Sequence, residues 1–272
     1  MDARVQMTEA VKWMWSLGDY ERIAQRLMPY AEQLAELLGI VPGMRVLDVA
    51  AGNGNFAIAA ARRGAIVTAS DLTPHMVELG VARSAADGLD IAWCEADAEQ
   101  LPFDADQFDL VASLFGAMFA PRPERVASEL FRVAKPGGLV AMANYAEAGF
   151  LGEFSRLLYR YGPASPSRYE SPFLWGDAEV VHRRFAGLAA RVNVEPRTLS
   201  FEFGSAEDAL ETWEATNGPL IAIVSMSTPE TVAALRREAS QLIMSIGTTV
   251  ERGIRLDSRY AQVVAHKPGP RT

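Results

Sequence analysis

The sequence predicts an α/β fold: an open, mostly parallel sheet with helices on both faces and helical insertions over one end. Three observations lead there. Apolar runs of strand length alternate with helix-length runs through the first half of the chain. A glycine-rich turn, "AAGNGN", joins the first of those strands to a helix. The unit from "RVLDVAA" to "AIVTAS" closes within about 30 residues, the size of a parallel crossover.

Residues 7 to 39 read as two helices separated near "SLGDY", with a stop at Gly39 and a turn at "VPGM". "RVLDVAA" is then a buried strand, 54 to 63 a helix ended by Gly64, and "AIVTAS" a second strand. A helix at 74 to 86 leads to the strand "DIAWCEA", and "FDLVASLF" follows as a fourth. A helix over 123 to 134, the turn "KPGG" and the strand "LVAMANYA" complete the alternation. Beyond it come a helix, the Pro/Ser-rich loop "YGPASPSRYESP" and a helix around "DAEVVHRRF". "ARVNVEPRTLSFEF" is a strand in which Pro196 indicates an edge or a bulge. Two or three helices fill 206 to 252, and "RYAQVVAH" is the last strand.

Composition narrows the function. An apolar fraction of 49% suits a folded chain with a sizeable core. The net charge of −8 argues against a nucleic-acid partner bound through a basic surface. No run has the ~18 apolar residues of a membrane span, and the opening "MDARVQMTEA" lacks the apolar stretch of a secretory signal. Cys94 is the only cysteine, so no internal disulfide can form, and a cytoplasmic location is expected. Cys94 itself reads as a small core residue of the third strand. No metal site is expected.

Gly52, Gly54 and Ala57 fit the fingerprint G-x-G-x-x-G/A, in which glycines let a ligand approach the backbone. Asp71, ending the second strand, stands where an acid holds ribose hydroxyls; its other reading is a helix cap, although Thr73 before Pro74 is the better one. Asp48 lies inside the first strand. A pyrophosphate on the turn would face that carboxylate, at roughly 5 Å a repulsion on the order of several kcal/mol. A cationic ligand such as S-adenosylmethionine, with a sulfonium and an ammonium, reverses the sign. Asp48 as a simple brace for the loop is the alternative.

Four segments in order, "VLDVAAGNGN", "ASDLTPHMVELG", "EADAEQLPFDADQFDLV" and "ELFRVAKPGG", make residues 44 to about 145 resemble the class I S-adenosylmethionine-dependent methyltransferases, in particular the type 11 group that includes quinone-biosynthesis enzymes. The resemblance implies a Rossmann-like, seven-stranded sheet in the order 3-2-1-4-5-7-6 with the last strand antiparallel. It divides the chain into an N-terminal helical cap (1–40), a cofactor-binding half (44–146), helical lid insertions (147–190 and 205–255) and a last strand (259–266). By the same resemblance Asp48, Ala50, Gly52, Asn53 and Gly54 would form the loop under the methionine portion. Asp71 would hold the ribose, with Leu72 and Met76 on the adenine. Asp97 would accept from the adenine amino group, and the Ala98 backbone would donate to the ring. Ser113 and Phe115 would lie along the methionine chain. The sequence departs from the family at Ala51, where glycine is common, and at Asn53, where threonine or serine is.

The implied reaction moves a methyl group from S-adenosylmethionine, leaving S-adenosylhomocysteine, to an oxygen, nitrogen or carbon of a small-molecule acceptor. The cofactor carries the hard chemistry and the protein orients. The alternatives are a cofactor-binding relative that catalyses a non-methylating step such as cyclisation, and a cofactor sensor. Trp15, Tyr20, Met118, Phe119, Tyr145 and Trp175 are the expected lining of an apolar acceptor pocket, with ordinary lid core as the other reading of each. His75, His182 and His266 sit at positions that read as structural or exposed, Glu147 has no visible partner, and no catalytic base is assigned.

Overall fold

The computed structural model describes residues 3–162 and 170–270. The chain opens with helices α1 (Ala3–Trp15) and α2 (Tyr20–Leu37), the latter capped by the Asp19 carboxylate, which accepts from the Arg22 N–H. Strand β1 (Arg45–Val49) follows, then α3 (Asn55–Ala61), β2 (Ile66–Asp71), α4 (Pro74–Ala86), β3 (Ile91–Glu95), β4 (Phe108–Leu114), α5 (Pro123–Val133) and β5 (Ala134–Gly149). The second half holds α6 (Phe150–Tyr161), α7 (Ala178–Arg184), β6 (Arg191–Phe203), α8 (Ala206–Thr216), α9 (Gly218–Met226), α10 (Pro229–Ile246), β7 (Thr248–Val250) and β8 (Gly253–His266).

Alternation of strands and helices produces the expected parallel sheet. Its order is β3-β2-β1-β4-β5-β8-β6, with β8 antiparallel to both neighbours. This is the 3-2-1-4-5-7-6 arrangement with one addition: the short β7 folds back on the start of β8 as an eighth strand. The last strand therefore begins at Gly253, not at 259, and it pairs with β6 from Phe203↔Ile254 to Arg191↔His266. Pro196 lies in β6, the outermost strand, where a missing N–H breaks no second ladder. "KPGG" is absorbed into β5 as an irregularity: β4 pairs at Phe108↔Ala134 and resumes at Leu110↔Leu139, so the turn bulges out of a continuous strand.

Apolar side chains from the two faces of the sheet make two cores. One gathers Phe108, Leu130, Phe131, Met142, Trp175 and Phe185 beneath α5 and α7. The other sets Leu34 of α2 and Phe56 and Ile58 of α3 against Val46 and Leu110. The helix "DAEVVHRRF", expected over the crevice, belongs to the first of these: Val181 is fully buried there, and Phe185 meets Phe131 edge-on at 4.9 Å. The lid role assigned to that part of 147–190 is thus replaced by a place in the sheet core. Of the loop "YGPASPSRYESP", residues 163–169 lie outside the described residues. A third core, built from α6, α8, α9 and α10 on the protruding ends of β5, β6 and β8, contains Phe150, Phe154, Phe201 and Trp213. It stands beside the carboxyl ends of β1 to β4, where ligands of open α/β sheets bind.

Candidate active site

The carboxyl ends of β1 to β5 open into one cavity of about 1340 Å³, reached by both the glycine turn and the third core. Its sheet-side floor is made by the loops after β1, β2 and β3. Gly52 has φ +56 and nothing near the position of a Cβ, so its backbone faces open space and a ligand can approach it directly. Ala50 (φ 53) and Phe115 (φ 60) also adopt the left-handed region, unusual for residues with a Cβ. Close approach enforces it: a Cβ on Gly116 would meet the Ala50 carbonyl oxygen at 2.1 Å. Strain of this kind, about 1–3 kcal/mol per residue, gathers where a site over-determines the backbone.

Two carboxylates organise this floor. Asp71 accepts from Gly52 N–H (2.8 Å) through one oxygen and from Thr73 N–H (2.9 Å) through the other, tying the loop after β1 to the start of α4. Burial raises its pKa, and those hydrogen bonds oppose the rise. Asp48 is buried, with Oδ2 accepting from Ala57 N–H at 2.9 Å and Oδ1 having no hydrogen-bond partner. Burial pushes its pKa up to about 8. Asp48 is therefore both brace and orphan, and near neutral pH it is largely protonated before a cation arrives. The repulsion of a diphosphate inferred from sequence is correspondingly smaller than a solvated carboxylate would exert.

Leu72, Met76, Asn53, Asp97 and Ala98 line the cavity as expected. Asp97 folds its own loop by accepting from Glu99 N–H at 2.9 Å. Gly54 and Ser113 do not line it. Gly54 caps α3 at φ +90, and a Cβ there would strike the Trp93 ring at 2.7 Å, so this glycine serves helix–strand packing. The Ser113 hydroxyl accepts from Ala117 N–H at 2.9 Å and shapes the loop after β4 from behind. Cys94 is half-buried rather than a core residue, and burial raises its thiol pKa.

Away from the carboxylates the cavity becomes aromatic. Phe115 stacks on Tyr145 with ring centroids 4.3 Å apart and planes within 5°, and Phe119 packs on Trp15 at 5.0 Å. Phe173 stacks on Tyr145 from another side at 6.4 Å. The Tyr145 hydroxyl makes no hydrogen bond among the described residues, and the Tyr20 hydroxyl is buried against the backbone of Gly218. Burial raises the pKa of both phenols. Trp15, Tyr20, Phe119 and Tyr145 are thus brought together as the sequence suggests. Met118 and Trp175 are not: both are buried in the sheet core, the first accepting from Tyr145 N–H through its sulfur at 3.3 Å, the second lying under the Arg184 guanidinium at 4.5 Å. Each follows a pocket residue or lid turn in sequence, but the local backbone points it the other way.

Sequence reasoning missed Phe154 and Leu158 on α6, Trp213 on α8 and Ile223 on α9, all of which line the far wall. It also missed the ion pair of buried Glu99 with Arg122, whose backbone N–H and Nε donate to the two carboxylate oxygens at 2.6 and 2.7 Å. The sequence marks α6 only as a helix; what its apolar face meets is decided by tertiary packing.

The fold is that of the class I methyltransferases, and comparison with known proteins agrees. Residues 47–142 match the family described as methyltransferase domain. An uncharacterized protein of Mycobacterium tuberculosis is 41% identical over 233 residues, covering 84% of this chain and 85% of that one. The demethylmenaquinone methyltransferase of Clavibacter sepedonicus is 42% identical over 106 residues, 39% of this chain and 43% of the enzyme. The crystal structure of the YcgJ protein of Bacillus subtilis superposes with a TM-score of 0.61 at 19% identity, covering 89% of this chain and 99% of that one. The chain belongs to the type 11 class I methyltransferases.

Proposed function

We propose that this protein transfers the methyl group of S-adenosylmethionine to a small apolar or aromatic acceptor. The observation that carries the reading is the division of one cavity into two chemistries: a floor of carboxylates and open backbone, and an aromatic chamber beside it. At about 1340 Å³ it exceeds the ~300–1,000 Å³ usual for one ligand, so it has room for donor and acceptor together.

The floor suits the donor. The orphan Oδ1 of Asp48 is a buried acceptor that an ammonium group would satisfy, and the bare backbone at Gly52 admits a chain against the loop. Asp71 spends one lone pair of each oxygen on backbone N–H groups and keeps others for ribose hydroxyls. Leu72 and Met76 would cover the adenine, and Asp97 would accept from its amino group. Bound there, S-adenosylmethionine supplies an electrophilic methyl on a good leaving group. The chain's own task is to hold the acceptor in line with that methyl and keep water out, which the rings of Phe115, Phe119 and Tyr145 and the covering helices α1, α6 and α9 would do.

Among the described residues no helix is long and apolar enough to cross a membrane, and the partner proposed is a small molecule. The test is titration calorimetry with S-adenosylmethionine, followed by transfer of a labelled methyl group to a panel of quinols, phenols, polyketides and carboxylic acids. Binding together with one methylated product is expected. Binding with an altered but unmethylated product would mean a non-methylating relative, and absence of binding would overturn the reading.

A further inference from the structure

The aromatic chamber holds a fixed phenol, Tyr145, whose hydroxyl is uncommitted among the described residues. The Tyr145 ring is clamped by Phe115 at 4.3 Å and flanked by Phe119 and Phe173, each at 6.4 Å. Its hydroxyl is therefore held in place, and it makes no hydrogen bond among the described residues. Within the apolar surroundings of β5 the phenol stays protonated, so it offers a donor.

Among the described residues, most carboxylates that line the cavity are already engaged by backbone N–H or guanidinium groups. Neither histidine, lysine nor cysteine lines the cavity among the described residues. Asp48 and Asp71 lie in the floor, bound to backbone N–H groups, and Asp97 holds the Glu99 N–H. Glu99 is paired with Arg122, and Glu170 accepts from Arg184 at 2.7 Å. Glu124 stands exposed at the start of α5, Tyr159 is exposed on α6, and burial keeps the Tyr20 phenol protonated. An acceptor that needs a base to react would find no histidine, lysine or cysteine among the described residues of the chamber.

Resting on the methyltransferase reading, we infer that the acceptor is a phenol or enol that reacts as its anion, ionised by its own acidity, with the Tyr145 hydroxyl donating a hydrogen bond to the anionic oxygen. The acceptor's proton has gone to water before the step. An oxygen lone pair then forms the new bond to carbon as the carbon–sulfur bond breaks, its pair remaining on sulfur. Negative acceptor and positive sulfonium become two neutral products, a change that a low-dielectric chamber favours over water. An amine would instead leave a cation facing the Tyr145 donor.

The probes are 1-naphthol, its more acidic nitro derivative and the matched naphthylamine. Wild-type kcat/KM should rise about tenfold per pH unit and level off at the acceptor's own pKa, so the plateau moves to lower pH for the nitronaphthol. Tyr145→Phe should lower kcat/KM for both naphthols by about 10- to 100-fold, most for the less acidic one, with the affinity for S-adenosylmethionine unchanged. A purely structural Tyr145 would lower all rates without regard to acceptor acidity. The inference is overturned by a pH profile that keeps its inflection when the acceptor changes, by preferred methylation of the naphthylamine, or by full naphthol activity in Tyr145→Phe. Lack of turnover with all three probes also overturns it; retained cofactor binding by calorimetry would then leave the reading of the donor floor standing, and lost binding would remove both.

Discussion

The proposed donor floor and the proposed acceptor chamber share one cavity but are built in opposite ways. The floor is local: Asp48, Ala50 and Gly52 are near neighbours on one strand end, and Asp71, Leu72 and Thr73 are on the next, joined by the Asp71 carboxylate, which accepts from Gly52 N–H at 2.8 Å. The chamber is assembled from α1, α2, α6, α8 and α9, whose side chains meet only after the chain has folded. Floor residues can thus be altered with the fold retained and binding lost, whereas chamber residues double as core.

The sharpest break in that comparison is Trp213→Ala. The indole is 4% exposed and packs on Phe150 at 5.3 Å, Phe201 at 5.5 Å and Phe154 at 6.0 Å. Its removal should cost about 3–5 kcal/mol of stability in denaturant unfolding. If the stability is unchanged while acceptor binding is lost, the far wall is not core.

Asp71→Ala is the matching test on the floor. It removes the charge-assisted contacts proposed for the ribose and releases the Gly52 and Thr73 N–H groups, and should weaken S-adenosylmethionine binding by roughly 2–4 kcal/mol in calorimetry. Unchanged affinity would place the ribose elsewhere.

The same contrast explains what could be read from sequence. Strand order and the loops that form the cavity floor were legible because they rest on short-range rules: a buried apolar run, a glycine turn, an acid at the next strand end. Gly54 and Ser113 were misplaced because their spacing was right but their surroundings were not; the Trp93 ring, far along the chain, decides what Gly54 is for. Met118 and Trp175 failed for a related reason. Both lie in short loops of the right neighbourhood, yet which way a loop side chain points depends on tertiary packing that no periodicity records. Phe154 and Trp213 lie on amphipathic helices and Ile223 on one that is apolar nearly all round, so nothing local separates a side chain on a cavity from one in a core.

A smaller effect tests the charge logic of the floor. Buried Asp48 has its pKa pushed up to about 8, and a cationic ligand would favour the ionised form, so binding should release a proton below that pH. Affinity for S-adenosylmethionine should tighten as pH rises toward about 8, by at most about tenfold per unit, and then flatten. The free protein should show the reverse trend from this group. Its raised pKa means that the folded state binds the extra proton, so its contribution to stability falls as pH climbs from the ordinary carboxylate range to about 8. Asp48→Asn should flatten both profiles, which calorimetry and thermal melts at several pH values would report.

The smallest effect decides which half of the cavity α1 covers. Trp15, half-buried at the end of α1, touches Phe119 at 5.0 Å, and α1 packs on α9. Lys12 pairs with Glu95 at the end of β3, so the same helix also reaches the donor side. Losing the Trp15–Phe119 contact should cost only about 0.5–1.5 kcal/mol beyond the buried area. If α1 closes the acceptor chamber, Trp15→Ala raises the acceptor KM severalfold with little change in S-adenosylmethionine affinity, whereas Lys12→Ala, which breaks an ion pair with half-exposed Glu95, leaves the acceptor KM near its starting value. The opposite result, with cofactor affinity falling first, would make α1 a cover for the donor and move the boundary between the two regions to the sheet end of Phe119.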